Sequence, residues 1–236
     1  MAQLLPFITD EKLREATKTL VNAAFNAQKR VDKNPYRNVI DPFSALVDAA
    51  RQKITTEEWF VQEKSRQVQK ALQNALGDFH QDILGAMPGW ENAGRGGSYD
   101  VKSTAKKAIA EVKNKHNTMN ARSAISVYDN LQRHLDYSGD DITKAYVVEI
   151  IQKHPEPYEI PFTPSERGTP RPTRQNIVKI DGKSFYALAS DDPDALRKLY
   201  EALPIVLGDI LNIKPSELTG NATFRELFDR VYVETK

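Results

Sequence analysis

Cysteine is absent from this chain of 236 residues, which excludes disulfide bonds and thiolate metal sites. Histidine is scarce, and the four residues, His80, His116, His134 and His154, show no metal-ligand spacing. No apolar run approaches the roughly 20 residues that cross a bilayer, and the first residues lack a secretory cleavage pattern. A Walker-type glycine loop and a nucleophile elbow are also lacking. We therefore expect a cytoplasmic protein with no membrane partner.

Charge is unevenly distributed, although the net charge is only +1. Residues 93–126 contain seven basic and two acidic side chains, and residues 163–183 contain five basic and two acidic ones. Hydrophobic residues make up 40% of the chain and charged residues 28%, as in globular proteins. Length and composition predict a single domain over residues 1–236, with two basic segments that can steer a polyanion to one face.

The first part of the chain, residues 1–90, has a helical pattern. Thr55 and Glu58 have the spacing of a capping box at the start of a long helix. Apolar residues then recur at helical intervals, which predicts one buried face. That face contains Val61, Val68, Leu72, Phe79 and Ile83.

Residues 91–190 predict a catalytic sheet with recognition loops. Two short strands flank a turn at Ala105 and Lys106, and a helical pattern follows over residues 117–137. The run KAYVVEIIQK predicts a buried strand that is parallel to its predecessor, because a helix lies between them.

The C-terminal part, residues 191–236, is predicted to be helical, with Asp192 capping its first helix. Just before it, Asp181 and Gly182 stand between two strand-like runs and predict a hairpin turn. The fold class is therefore α/β, with a central mixed sheet flanked by helical N-terminal and C-terminal segments.

The strand pair around Ala105 brings two carboxylates together. A turn at Ala105 and Lys106 places residue i opposite residue 211 − i, so that Asp100 faces Glu111. Facing residues share a sheet face with Cβ atoms about 4.5–5.5 Å apart, and like charges there repel each other. Lys113 projects from the same face, two residues beyond Glu111. A divalent cation between the carboxylates would remove the repulsion.

Magnesium suits this arrangement, because it prefers hard oxygen ligands and binds through one or two carboxylates plus substrate phosphate. The predicted ligands are Asp100, Glu111 and the backbone carbonyl of Val112. A lysine beside the ion can orient water and stabilise charge on a phosphate, so Lys113 is the candidate catalytic lysine. These residues predict hydrolysis of a phosphodiester.

The same residues carry a resemblance to known nucleases. Asp100, ten intervening residues and then Glu111-Val112-Lys113 resemble the PD-(D/E)XK signature. Tyr99 stands where that signature has proline. The longer runs are similar to a group of type II restriction endonucleases that cut quasi-palindromes of the form GG, a central base pair, CC. These runs are GWENAGRGGSYD, AEVKNKHNTMNARSAI, EWFVQEKSRQVQKALQN and IDGKSFYALAS.

The resemblance implies Asp100 and Glu111 as metal ligands, Mg²⁺ as the cofactor, double-stranded DNA as the substrate and the bacterial cytoplasm as the location. Many relatives add a glutamate from a helix that precedes the strands. Glu63 is the candidate here, with Glu57 and Glu58 as competitors and an ordinary solvated glutamate as the alternative.

DNA contacts are predicted beside the catalytic strand, where Lys115, His116 and Asn117 continue from it. They can reach backbone phosphates or bases next to the cut. Asn117 or Thr118 can also cap the helix that follows, and the two roles are compatible.

Guanine recognition favours arginine, which binds O6 and N7 in the major groove. Arg171 and Arg174, in a loop stiffened by prolines, are the predicted readers, and loop arginines that face water are the alternative. Arg95, among its glycines, is predicted to bind a phosphate.

The predicted function is a magnesium-dependent restriction endonuclease. Cutting both strands of a near-palindrome requires two active sites related by a two-fold axis, which predicts a homodimer. One alternative is a repair or junction nuclease on the same fold, which would cut by DNA structure. Another is a non-catalytic DNA-binding or scaffold protein, in which the two acids and the lysine form an ion-paired hairpin.

Overall fold

The computed structural model describes residues 3–94, 96–219 and 223–233. The chain divides into two compact units. We call Lys18–Asp78 the helical unit, and Met1–Thr17 together with Phe79–Lys236 the sheet unit.

Three helices come first, the strands follow with one helix among them, and four helices end the described part of the chain. The helices are α1 (Asp10–Lys33), α2 (Pro42–Gln52), α3 (Thr56–Gly85), α4 (Ala121–Tyr137), α5 (Gly182–Ser190), α6 (Ala195–Leu211), α7 (Pro215–Thr219) and α8 (Thr223–Tyr232). The strands are β1 (Glu91–Asn92), β2 (Val101–Ser103), β3 (Ala108–Lys115), β4 (Lys144–Ile151), β5 (Glu159–Pro161), β6 (Ser165–Glu166), β7 (Thr169–Pro170) and β8 (Ile177–Asp181).

The sheet unit is built on a six-stranded mixed sheet in the order β1-β2-β3-β4-β8-β5. Strands β1, β2 and β3 are antiparallel, β3, β4 and β8 are parallel, and β5 is antiparallel to β8. The predicted α/β class with a mixed central sheet is confirmed, and so is the parallel pairing of KAYVVEIIQK with the strand before it.

Helix α4 is the crossover between β3 and β4, and it covers one sheet face. The core between them consists of Ile109, Ala145, Val147 and Ile177 from the sheet and Tyr128, Leu131 and Leu135 from α4. Asn120 caps α4, because its side chain accepts from the N–H of Ser123. The prediction that Asn117 or Thr118 caps this helix is therefore wrong, since the chain makes another turn before the helix starts.

The predicted hairpin at Asp181-Gly182 is also wrong. Asp181 ends β8 and caps α5, its carboxylate accepting from the N–H of Ser184 at 2.8 Å. A Cβ on Gly182 would lie 2.5 Å from the carbonyl oxygen of Ile150 in β4, so glycine is required there for close approach of two backbones. Asp-Gly suits a helix start as well as a hairpin turn, and the packing of α5 on β4 selects the helix start.

The capping box at the start of α3 is confirmed: Thr55 and Glu58 each accept a hydrogen bond from the other's backbone N–H. The predicted buried face is only partly correct. Phe79 and Ile83 are buried, but Val61 is 64% exposed. In the first half of α3 the buried face instead carries polar side chains, including Glu63. Asp192 also does not cap α6, which begins two residues later than predicted, at Ala195.

Candidate active site at the carboxyl end of the parallel strands

The hairpin of β2 and β3 has the predicted register. The pairs Val101–Ala110, Lys102–Ile109 and Ser103–Ala108 all sum to 211. Asp100 lies one residue before β2, so the ladder does not extend to a formal pair between Asp100 and Glu111. Instead, the N–H of Asp100 donates to the carbonyl of Ala110 at 2.9 Å.

The Asp100 carboxylate lies against the backbone of β3. Its Oδ2 accepts from the N–H of Val112 at 2.7 Å. Because the N–H and C=O of one strand residue point to the same side, the carbonyl of Val112 is also directed to the Asp100 edge, away from β4. The side chain of Asp100 and the carbonyl of Val112 therefore offer oxygen atoms at the same edge of the strand.

Glu111 and Lys113 project from one face of β3, as predicted from their spacing. Lys113 Nζ donates to Glu111 Oε1 at 2.5 Å. The side chain of Lys113 is 24% exposed and that of Glu111 is 16% exposed. The pair is therefore partly screened from water but open to a ligand. Asp100, Glu111, Val112 and Lys113 are thus brought together at one place on the sheet.

A second polar cluster, which the sequence patterns did not reveal, lies next to Lys113. Register places Lys113 beside Glu149 of β4, and Glu149 beside Asp181 of β8. Glu149 is only 4% exposed. Its Oε2 accepts from the hydroxyl of Tyr158 at 2.5 Å and lies 3.5 Å from Lys179 Nζ. The sequence does contain a signal for this cluster, because Glu149 stands inside an otherwise apolar strand. A buried charge is seldom left unpaired, so such a glutamate predicts polar partners nearby.

Burial is the main cause of a raised pKa at Tyr158, and its hydrogen bond to the Glu149 carboxylate adds to the effect. The hydroxyl therefore stays protonated and continues to donate at neutral pH. Asp181 accepts from the backbone N–H of Tyr158 at 2.9 Å, which fixes the segment before β5. Together these bonds hold the wall of the site beside Lys113.

The donor set fits a hard divalent cation. The residues of the described ranges contain no group of three or more His, Cys, Asp or Glu side chains that could hold a metal. Magnesium does not need one, because it binds through one or two carboxylates, waters and substrate phosphate. Two carboxylates, from Asp100 and Glu111, and the carbonyl of Val112 match that requirement.

Glu63 belongs to the helical unit, where it is 5% exposed. Its oxygens accept from Arg66 Nε at 2.6 Å, from Arg66 Nη2 at 2.8 Å and from Gln67 Nε2 at 3.0 Å. The Arg66 guanidinium holds the pKa of Glu63 below its usual value. Glu63 is therefore not the solvated helix glutamate that was its alternative interpretation. Its competitor Glu58 is exposed and takes part in the capping box.

The residues that were predicted to contact DNA beside Lys113 lie at the end of β3 and just beyond it. Lys115 shares the face of Lys113, and it pairs in register with Ile151. The N–H of His116 donates to the carbonyl of Ile151 at 3.0 Å, and its ring Nδ1 is buried without a hydrogen-bond partner in the described part of the chain. Asn117 is exposed.

Arg171 and Arg174 are both engaged with α4. Arg171 makes a two-point pair with Asp129, with Nε and Nη2 at 2.9 and 2.8 Å from the carboxylate oxygens. Arg174 Nη1 lies 2.7 Å from Asp136 Oδ1. The alternative interpretation, that these are loop arginines facing only water, therefore does not describe either guanidinium. Arg95 lies outside the described residues.

In the part of the chain that the structure describes, no helix is both long enough and apolar enough to cross a membrane.

Comparison with known proteins identifies the family. The family model for the Eco47II restriction endonuclease matches residues 5–212. The type II restriction enzyme Eco47II of Escherichia coli is 41% identical over 219 residues, which cover 89% of this chain and 89% of that enzyme. The type II restriction enzyme Sau96I of Staphylococcus aureus is 28% identical over 233 residues, covering 96% of this chain and 88% of that enzyme.

The match to the family model runs through the β2–β3 hairpin, where the acids and the lysine meet. The chain therefore belongs to the Eco47II family of restriction endonucleases, which are site-specific deoxyribonucleases.

Proposed function

We propose that this endonuclease uses Mg²⁺ to hydrolyse both strands of double-stranded DNA at a short quasi-palindrome of the form GG, a central base pair, CC, in the bacterial cytoplasm. The observation that carries the chemistry is the arrangement at β3: the Asp100 carboxylate at the Val112 N–H, and Lys113 Nζ at 2.5 Å from Glu111. The GG-x-CC form rests on the resemblance of the long sequence runs.

Asp100, Glu111 and the carbonyl of Val112 would hold the Mg²⁺ ion. When bound, the ion would supply positive charge that offsets the negative charge developing on the phosphate, and it would activate water. The N–H of Val112 orients the Asp100 carboxylate relative to β3. Lys113 carries the positive charge that orients the attacking water and stabilises the phosphate oxygens in the transition state.

Glu63 is proposed as the additional helix glutamate. It is buried and lines a cleft of the helical unit together with the basic side chains Arg37, Arg66 and Lys70, a setting compatible with a phosphate backbone. Lys115, His116 and Asn117 are proposed to contact DNA beside the cut, because they follow Lys113 along the same strand and loop. Arg95 is proposed as a phosphate contact.

Digestion of a sequenced plasmid tests this function. We expect discrete fragments in the presence of Mg²⁺, an intact plasmid with EDTA, and ends that map to GG-x-CC sites. The sites are defined by sequencing the fragment ends. A smear of fragments would favour a structure-specific nuclease, and an intact plasmid at every metal concentration would favour the non-catalytic alternative.

The endonuclease is also expected to be a homodimer, because one active site per chain cuts one strand. Sedimentation equilibrium should give twice the 26.7 kDa mass of one chain, with or without DNA. A single-chain mass in both conditions would contradict the dimer.

A further inference from the structure

Among the arginines of the basic segment 163–183, Arg167 has a different backbone setting from Arg171 and Arg174. Arg167 and Gly168 form the two-residue turn between β6 and β7, and both have positive φ, 49° for Arg167 and 87° for Gly168. This is the geometry of a type I′ turn, which favours Asn-Gly. Arginine is disfavoured in this conformation, so its presence at the tip calls for a reason outside local folding.

Arg167 is also exposed, and within the described ranges it has no hydrogen bond or ion pair. Arg171 and Arg174, in contrast, each bind a carboxylate of α4. For either of them to read a base, its ion pair would first have to break. Arg167 can do so without breaking any contact.

The end of the β6–β7 ribbon that is farther from its turn is fixed to α4. The N–H of Arg171 donates to the carbonyl of Pro164 at 2.8 Å, which extends the β6–β7 ladder by one pair. The hydroxyl of Tyr128 donates to the carbonyl of Pro172 at 2.5 Å. Strand β6 also contacts α4. The two-stranded ribbon of residues 164–171 is therefore held rigidly at its base and is open at its tip.

The direction of the ribbon follows from the two ion pairs. Asp129 and Asp136 are separated by about 10 Å along α4, and Arg171 and Arg174 by about 10 Å of extended chain. From Arg171 to Arg174 the loop thus runs in the same direction as α4. Residues 167–168, which precede Arg171, therefore lead towards the first turn of α4. Because α4 follows β3, that first turn lies at the carboxyl end of β3, where Lys113 is located.

We propose that the β6–β7 ribbon enters the major groove and that Arg167 is a specificity-determining residue, reading a guanine through O6 and N7. Arg171 and Arg174 then act as positioning residues that hold the base of the ribbon on α4. The major groove admits a two-stranded ribbon, and a bidentate arginine is the commonest specific contact to guanine. This inference rests on the proposed cleavage of a guanine-containing site.

The decisive variant is Arg167→Asn, because it creates the Asn-Gly sequence that the turn prefers. We expect its melting temperature to be equal to or above that of the wild type. Cleavage is compared on the wild-type site, mapped by fragment sequencing, and on duplexes with one guanine replaced. The ratio of kcat/KM between them should fall about 5- to 150-fold at one position.

Arg167→Lys separates charge from geometry, because lysine keeps the charge but lacks the planar fork. It should retain the non-specific affinity and its salt dependence but not the discrimination. Arg230→Asn, on α8, removes an equal charge from an exposed helix position and should leave the ratio unchanged. Arg171→Ala should lower the melting temperature and weaken cleavage on all duplexes alike.

The proposal is overturned if Arg167→Asn keeps the ratio within twofold of the wild type. It is also overturned if affinity falls equally on all sequences while the salt slope drops by about one, which identifies a phosphate contact. A ratio lost in Arg171→Ala but kept in Arg167→Asn assigns the reading to Arg171. A wild-type enzyme that neither cuts nor discriminates overturns the proposed function as well, whereas an altered site sequence refutes only its GG-x-CC form.

Discussion

Replacing Lys113 with alanine is expected to lower the rate of DNA cleavage by about 10²–10³-fold or more while specific DNA binding is retained. The proposed role of the lysine is charge stabilisation that is needed mainly in the transition state, so its loss should reduce kcat rather than affinity. The measurement is single-turnover cleavage of a duplex with the mapped site, together with binding of the same duplex in EDTA.

The matched control is Lys106→Ala, at the other end of the same hairpin, where Lys106 pairs with Asp191 at the surface. It removes an equal charge and side chain, and cleavage should remain near the wild-type rate. Cleavage by Lys113→Ala at the wild-type rate would remove the catalytic assignment. Because Lys113 also pairs with Glu111, thermal unfolding of both variants checks that the loss is chemical.

Replacing Gly182 with alanine is expected to lower the free energy of unfolding by about 3 kcal/mol or more. The added Cβ would lie 2.5 Å from the carbonyl oxygen and 2.6 Å from the Cα of Ile150. Both atoms belong to the backbone of the central strand β4, which cannot move away as a flexible side chain can. Chemical denaturation monitored by circular dichroism measures the change.

Gly77→Ala is the matched control, because Gly77 lies inside α3 and a Cβ there meets no atom within 4 Å. Alanine is the better helix former, so this variant should be more stable than the wild type by about 0.5–1 kcal/mol. The two substitutions are identical in chemistry and opposite in expected sign. Equal stability of Gly182→Ala and the wild type would contradict the close packing of α5 on β4.

The sequence by itself determined the β2–β3 hairpin, on which the proposed catalytic residues lie. Its turn is short and its strands are adjacent in the chain, so the register follows from counting residues, and the side-chain face follows from the period of two. The same locality explains why the capping box at Thr55 and Glu58 and the helical pattern within residues 117–137 were predictable. The parallel pairing of β3 and β4 also followed from one intervening helix.

Only the tertiary structure decided features that depend on neighbours distant in sequence. Asp181-Gly182 starts a helix because α5 packs on the backbone of β4 at Ile150, which lies 32 residues before Gly182 in the chain. Glu149 is buried with Tyr158 and Lys179 because three strands meet there. Arg171 and Arg174 are paired because α4 presents carboxylates at matching spacing, which leaves Arg167 as the exposed arginine of the ribbon. Local propensity contains no information on which strand or helix will lie opposite a residue, and that contact selects among conformations that the local sequence allows equally well.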